Sequence, residues 1–331
     1  MRLSFLDLVP IVEGGSPAQA LRNAADTVRH CENLGYHRYW VAEHHGMSAV
    51  GAAATSVVLA HVGSGCDRIR IGAGGIMLPN HAPLQIAEQF GTLDALHPGR
   101  IDLGLGRASG SDPRVAAALR RTLAGGADRF PQDVQELMAI FAGDPRLGYT
   151  AIPGAGAQIE LWILGSSTYG ARLAAALGLP FSFASHIAPG AIHEALAAYR
   201  ETFRPSPMLA RPRVMISYSV FGADSAEKAQ SLASSMQQGF VAMRSGTTGR
   251  GFPPPVPGFY EQQSPSDRRL IDDMMRFASI GTIETVASDL RAVIDRTQAD
   301  EVIVSSPIYE HADRKNSIAI AARAMQLAVQ S

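Results

Sequence analysis

Apolar positions along this chain fall into short runs separated by amphipathic segments, and the stretch from Ile69 to Arg107 shows the arrangement most clearly. Ile69, Ile71 and the glycines around them form an apolar run that stops at Pro79-Asn80. Pro83 opens a helical pattern in which Ile86, Phe90, Leu93 and Leu96 recur at three- to four-residue spacing, giving one apolar face. His97-Pro98-Gly99 stops that helix, since proline and glycine are the strongest local punctuation. Arg100 to Leu105 is a second apolar strand, closed by Gly104, Gly106 and Arg107. Two strands joined by a long helix imply parallel pairing. The glycines and Arg107 then lie at strand C-termini, the ligand-binding edge of parallel α/β folds.

The same alternation runs through the whole chain. Strands are expected at Leu3–Val9, Arg38–Ala42, Glu160–Leu164, Phe181–Ala184, Val214–Phe221 and Glu301–Ser305, in addition to the pair above. A helix starts at Ser16-Pro17 and runs to about Asn33, with Gly35 as its stop. Further helices are expected at Ala52–Val62, Pro131–Phe141, Tyr169–Leu177, Pro189–Phe203, Asp224 to about Met243, Asp267–Phe277, Ile283–Thr297 and Asp313–Val329. Eight strands with intervening helices is the count of a (β/α)8 TIM barrel, read here as a single unit spanning 1–331. A doubly wound open sheet competes, but it usually carries a glycine-rich turn straight after its first strand, and none stands there. Two stretches with loose periodicity, about 108–129 and 245–265, are expected to be insertions over the C-terminal face.

Composition narrows the class. The apolar fraction of 46% suffices for a large core, and a net charge of -1 gives no global field for nucleic acid or a membrane surface. No apolar run approaches the roughly 18 residues of a membrane span. Leu3 to Val12 carries Asp7 and Pro10, so a first strand fits it better than a signal peptide. Cys31 and Cys66 sit inside apolar helical patterns, which suits buried free thiols and a cytoplasmic setting.

Candidate chemistry gathers at the strand ends. Glu43-His44-His45 is the densest titratable cluster, able to move a proton near neutral pH, although strand-end histidines also serve as surface groups. Adjacent histidines on an extended segment point apart, so a metal site is not expected. Gly74-Gly75 allows either close approach of a flat ligand or simple steric room between strands. If a ligand lies there, valine at Gly75 is expected to hinder binding more than it destabilises the barrel. Arg107 on the ligand edge suits an anionic group. Gly165-Ser166-Ser167-Thr168, followed at once by a helix, is either a phosphate cradle or an ordinary N-cap. Ser305-Ser306-Pro307 is an alternative cradle.

Together these pieces resemble the bacterial luciferase-like flavin-dependent monooxygenase family. The resemblance rests on Trp40 to His45, Gly72 to His81, Pro98 to Arg107, Gly165 to Ser167, Phe183 to His186 and Pro253 to Val256, in register over nearly the whole chain. It implies a barrel that binds FMN, reduced by a separate flavin reductase, and that uses O2 to oxygenate a small organic substrate through a flavin C4a-hydroperoxide. On that model Arg107, Ser166 and Ser167, with Tyr169 nearby, hold the FMN phosphate. Gly74-Gly75 matches the family's cis peptide against the flavin ring, and His44 its proton-handling histidine. Glu43, His45, His81 and His186 become pocket or supporting residues. A homodimer through outer helices is the family expectation. The luciferase's own reactive cysteine is replaced here by Gly106, which leaves no argument for light emission. Two rivals stay open: an F420-dependent hydride-transfer enzyme of the same fold, and a flavin-holding protein without turnover.

Overall fold

The computed structural model of the chain describes residues 1–107, 113–119, 129–247, 249 and 251–330. Its first half contains β1 (Arg2–Asp7), α1 (Pro17–Asn33), β2 (Arg38–Val41), α2 (Thr55–Gly63), β3 (Arg70–Met77), α3 (Pro83–Leu96), β4 (Ile101–Gly106), α4 (Pro113–Leu119) and α5 (Phe130–Phe141). The second half contains β5 (Glu160–Gly165), α6 (Thr168–Leu177), β6 (Phe181–Phe183), α7 (Ile192–Thr202), β7 (Val214–Gly222), α8 (Ala226–Ser245) and α9 (Pro265–Met274). It ends with β8 (Ala278–Gly281), α10 (Ile283–Thr297), β9 (Glu301–Ser305) and α11 (His311–Gln330). All pairings between these strands are parallel, and β6 pairing with β7 closes eight of them into a (β/α)8 barrel. The remaining strand, β8, was not expected. It runs beside the far end of β7, outside the ring, and pairs with Ser219 to Gly222.

Local signals work as their chemistry dictates. The Ser16 and Ser225 hydroxyls accept from the Gln19 and Lys228 backbone N–H groups, capping α1 and α8. On α3, Ile86, Phe90 and Leu93 are buried, each contributing roughly 1.5–3 kcal/mol of burial. Leu96, placed on the same face by spacing, is exposed because the helix ends there. The expected helix from Pro189 begins as a 3-10 turn over Pro189–Ala191. The insertion at 108–129 lies outside the described residues except for α4 and Arg129. The 245–265 stretch is anchored: Phe252 pairs with Val12, and the Val256 N–H donates to Ser234 Oγ.

The barrel interior is layered by the period of two along each strand. At the bottom, Arg38 is fully buried and donates to Glu301 and Asp102 at 2.7 Å each. Arg70 also binds Asp102, and Arg213 binds Glu160. Burial alone would lower the Arg38 guanidinium pKa, but Asp102, Glu301 and Glu160 outweigh it and hold it above its ordinary value. Two residues further along the strands lie Trp40, Trp162, Met215 and Ile303, a separate apolar cluster joined by Leu6 and Leu164. The Arg38 guanidinium lies 5.0 Å from the Trp162 ring centroid, so the two layers touch. Another step along the same alternation leads to the open C-terminal end.

Candidate functional site

That end holds an open pocket. Its wall contains His44, Gly74, Gly75, Arg107, Ser166, Ser167, Tyr169 and His186, so eight sequence-nominated residues converge on one cavity. The structure adds Leu6, Leu8, Trp40, Met77, Phe130, Ser182, Ser217 and Ile303. Several of these were available in principle. Trp40 to Ala42 to His44, and Ser182 to Ala184 to His186, are the inward-facing steps of β2 and β6 carried past their ends.

His44 and His45 do point apart. His44 lines the pocket, whereas His45 Nε2 donates to Glu43 Oε1 at 2.8 Å. His81 Nε2 donates to the same oxygen at 2.8 Å, and the Met77 N–H donates to Glu43 Oε2 at 3.0 Å. Glu43, His45 and His81 thus form a bonded cluster beside the pocket and are absent from its described wall. Glu43 is buried, which alone would raise its pKa; the bonds from His81, His45 and Met77 outweigh that and hold it below its ordinary value. The folded state therefore binds fewer protons at this group than the unfolded chain. Its stabilising contribution is complete above the ordinary value of 4.5 and is lost as pH falls through the lower folded value. In urea titrations across that acid range, Glu43→Gln is expected to flatten the loss of stability relative to the unaltered protein. Parallel curves for the two proteins would contradict the assignment.

The Gly74–Gly75 peptide is cis and sits at an irregularity in the β3–β4 register. A Cβ added at Gly75 would lie 2.6 Å from the Gly104 carbonyl oxygen, and one at Gly74 would lie 2.8 Å from Leu6 Cδ1. A side chain at Gly75 would drive into the β4 backbone, and one at Gly74 into the side chains of Leu6 and Trp40. This reverses the expectation for valine at Gly75: the variant should lose about 1–3 kcal/mol of ligand-free stability through overpacking. Thermal unfolding without ligand measures this, and an unchanged midpoint would contradict it.

At the neighbouring strand ends, the Arg107 guanidinium stacks 4.1 Å from the Tyr169 ring centroid. Ser167 is the N-cap of α6, yet its side chain makes no capping bond. The helix start therefore presents backbone N–H groups beside a free choice of hydroxyl geometry. Gly165 and Gly170 let the strand and helix backbones close up, since a Cβ on either would lie 3.3–3.4 Å from the other's Cα. The alternative cradle does not reach the pocket: Ser306 is buried and donates to the Val220 carbonyl at 2.9 Å.

A buried network holds the first strand's end. Asp7 accepts from Arg314 Nη2 and from the Val9 N–H at 2.6 Å each, and from the Tyr39 hydroxyl. Val9 adopts a left-handed φ of 53°, rare for a β-branched residue. The turn sets Leu8 into the pocket wall, and the Val9 carbonyl accepts from Gly51 at 2.8 Å. One residue on, the Ala52 carbonyl accepts from the His44 N–H at 3.0 Å, so the network also steadies the His44 segment.

Among the described residues, no group of three or more His, Cys, Asp or Glu side chains is arranged to hold a metal, and no helix is long and apolar enough to cross a membrane.

The model of the luciferase-like monooxygenase family matches residues 1–301. A luciferase-like monooxygenase of Escherichia coli K12 is 46% identical over 319 residues, covering 96% of this chain and 95% of that protein. An N-acetyl-S-alkylcysteine monooxygenase of Bacillus subtilis is 32% identical over 252 residues, 74% of this chain and 75% of its own. The crystal structure of apo-MsnO8 superposes with a TM-score of 0.88 at 32% identity, covering 98% of both chains. The fold is shared with the FMN complex of the oxygenating constituent of 3,6-diketocamphane monooxygenase from Pseudomonas putida (TM-score 0.73, 16% identity, 98% of this chain and 97% of that one). It is also shared with an F420-dependent secondary alcohol dehydrogenase (TM-score 0.67, 14% identity, 99% of this chain and 98% of that one). With its closed barrel, its pocket and these matches, the chain belongs to the luciferase-like monooxygenase family and is an oxidoreductase of the monooxygenase type.

Proposed function

We propose that the protein, acting as one barrel unit, binds reduced FMN and uses O2 to oxygenate a small organic substrate. The observation that carries this reading is the convergence of Arg107, Ser166, Ser167 and the α6 N-terminus on the same pocket that Gly74 and Gly75 line. That set suits a phosphate at one end and a planar ring at the other. Bound FMN supplies the activation of O2, and the protein supplies position, proton control and dryness. Arg107 and the two serines would hold the phosphate, while the backbone of Gly74 and Gly75 in the pocket wall would be the surface the ring lies against. His44 holds or releases a proton at the ring's edge. Leu6, Trp40, Leu164 and Ile303 keep water away from the reacting atoms. A separate flavin reductase delivers the cofactor in this scheme. A cytoplasmic homodimer through outer helices belongs to the same reading, as the family resemblance implies.

The test is comparative binding. FMN should bind more tightly than riboflavin, and Arg107→Ala should shrink the difference by about tenfold to a hundredfold, as expected for a charge-assisted contact of about 1.5–3 kcal/mol. Equal affinity of the unaltered protein for FMN and riboflavin would remove the phosphate assignment. Tighter binding of F420 than of FMN would favour hydride transfer instead.

A further inference from the structure

The described pocket wall contains a single sulfur, the thioether of Met77. Cys31 and Cys66 are buried away from that wall, and Met215 is fully buried in the Trp40–Trp162 layer. Met77 ends β3 two residues beyond Gly75, so the period of two brings both to the cavity. It pairs with Gly106 of β4. A Cβ added at Gly106 would lie 3.1 Å from Met77 Sδ and 3.5 Å from Cε, so the thioether lies over a glycine that itself lines the pocket. The Met77 backbone is fixed, since its N–H donates to Glu43 Oε2 at 3.0 Å, and its side chain stays partly exposed on the cavity side. A thioether takes up one oxygen atom to become a sulfoxide, more readily than the hydroxyl, imidazole and aliphatic groups around it.

We propose that Met77 is a self-modification site, oxidised to the sulfoxide when reduced FMN and O2 meet in a pocket that holds no organic substrate. This rests on reading the pocket as an FMN-dependent oxygenase site. Met77 Sδ forms a bond to one oxygen atom of O2, whose O–O bond breaks, and the other atom leaves as water. Reduced FMN supplies the two electrons and the two protons of that water and ends oxidised. The product replaces an apolar patch of the wall with a polar one, so turnover without substrate is recorded on the chain, and sulfoxide reductases reverse it.

The experiment uses the whole protein in two samples. One receives reduced FMN in aerated buffer, with catalase to remove peroxide from solution and no organic substrate. The other receives hydrogen peroxide alone, without flavin. Peptide mass spectrometry then reads the gain of one oxygen atom at each methionine. Met47, Met208 and Met243, all at least half exposed, report oxidant in solution. In the flavin sample Met77 should be several-fold more oxidised than these three. With peroxide alone the order should reverse, because the exposed thioethers meet the oxidant first. Oxidation at Met77 no greater than at the exposed methionines in the flavin sample would overturn the proposal. So would Met77 leading in both samples, which would make it merely an accessible methionine. Anaerobic ultrafiltration of reduced FMN with the same preparation separates two failures. Bound flavin with Met77 unmodified would overturn the self-modification alone, whereas absence of binding would overturn the cofactor reading and this proposal with it.

Discussion

Alanine at His44 is expected to cut oxygen transfer by about 10²- to 10⁴-fold, the usual contribution of a positioned acid or base. FMN affinity should stay within a few-fold, because the proposed phosphate contacts follow β4 and β5 while His44 follows β2. The residue is held for such work: its N–H is tied to Ala52, and its neighbours Glu43 and His45 are bonded to each other rather than to the cavity. Reduced flavin should still consume O2 in the variant, but the oxygen should leave as hydrogen peroxide rather than in product. Counting peroxide and product per flavin oxidised separates the roles. A variant that keeps the unaltered ratio would show that His44 is only part of the wall.

The second large effect concerns the barrel floor. Arg38→Met keeps the side chain's bulk but leaves Glu301 and Asp102, both essentially fully buried, without their shared cation. Ser4 still donates to Glu301, and Arg70 still binds Asp102, so the cost is partial compensation short of two bare charges. Removing one partner of a buried ion pair costs about 3–5 kcal/mol, because the other charge stays desolvated. Urea unfolding of the ligand-free protein should report this loss. Adding Glu301→Gln should recover part of it, since the amide tolerates burial better than an unpaired carboxylate. A loss below about 1 kcal/mol would mean that water enters the floor and solvates the carboxylates.

Much of this architecture was legible in the chain. Ser16-Pro17 announced its helix, and the apolar runs gave the eight ring strands because parallel strands are buried on both faces. The same double burial hid the inward side: every residue of Val214–Gly222 is buried, so no alternation marks Ser217 as facing the pocket. Ala278–Gly281 was missed because four residues between two helices carry no periodicity, and they become a strand only against β7. The positions of Arg107 and Ser166 followed from strand ends alone. The withdrawal of His45 and His81 into a cluster around Glu43 could not be read, since Glu43 and His81 lie 38 residues apart and meet only when β2 and β3 pair. Gly75 was ambiguous for the same reason: whether its missing side chain makes room for a ligand or for a strand depends on where Gly104 lies.

The ion-paired floor and the Trp40–Trp162 layer above it close the barrel from below, so the cavity behaves as a blind alley. Occupants of a blind alley queue: the one lying deepest enters first and leaves last. If the cofactor ring lies against Gly74–Gly75 as proposed, it would not exchange while another molecule sat over it. In the proposed scheme this imposes a compulsory sequence, with cofactor before substrate and product out before the spent cofactor can be replaced. Excess substrate should then trap the oxidised cofactor and slow turnover, a braking effect that comes from the barrel's plugged end and needs no regulatory site.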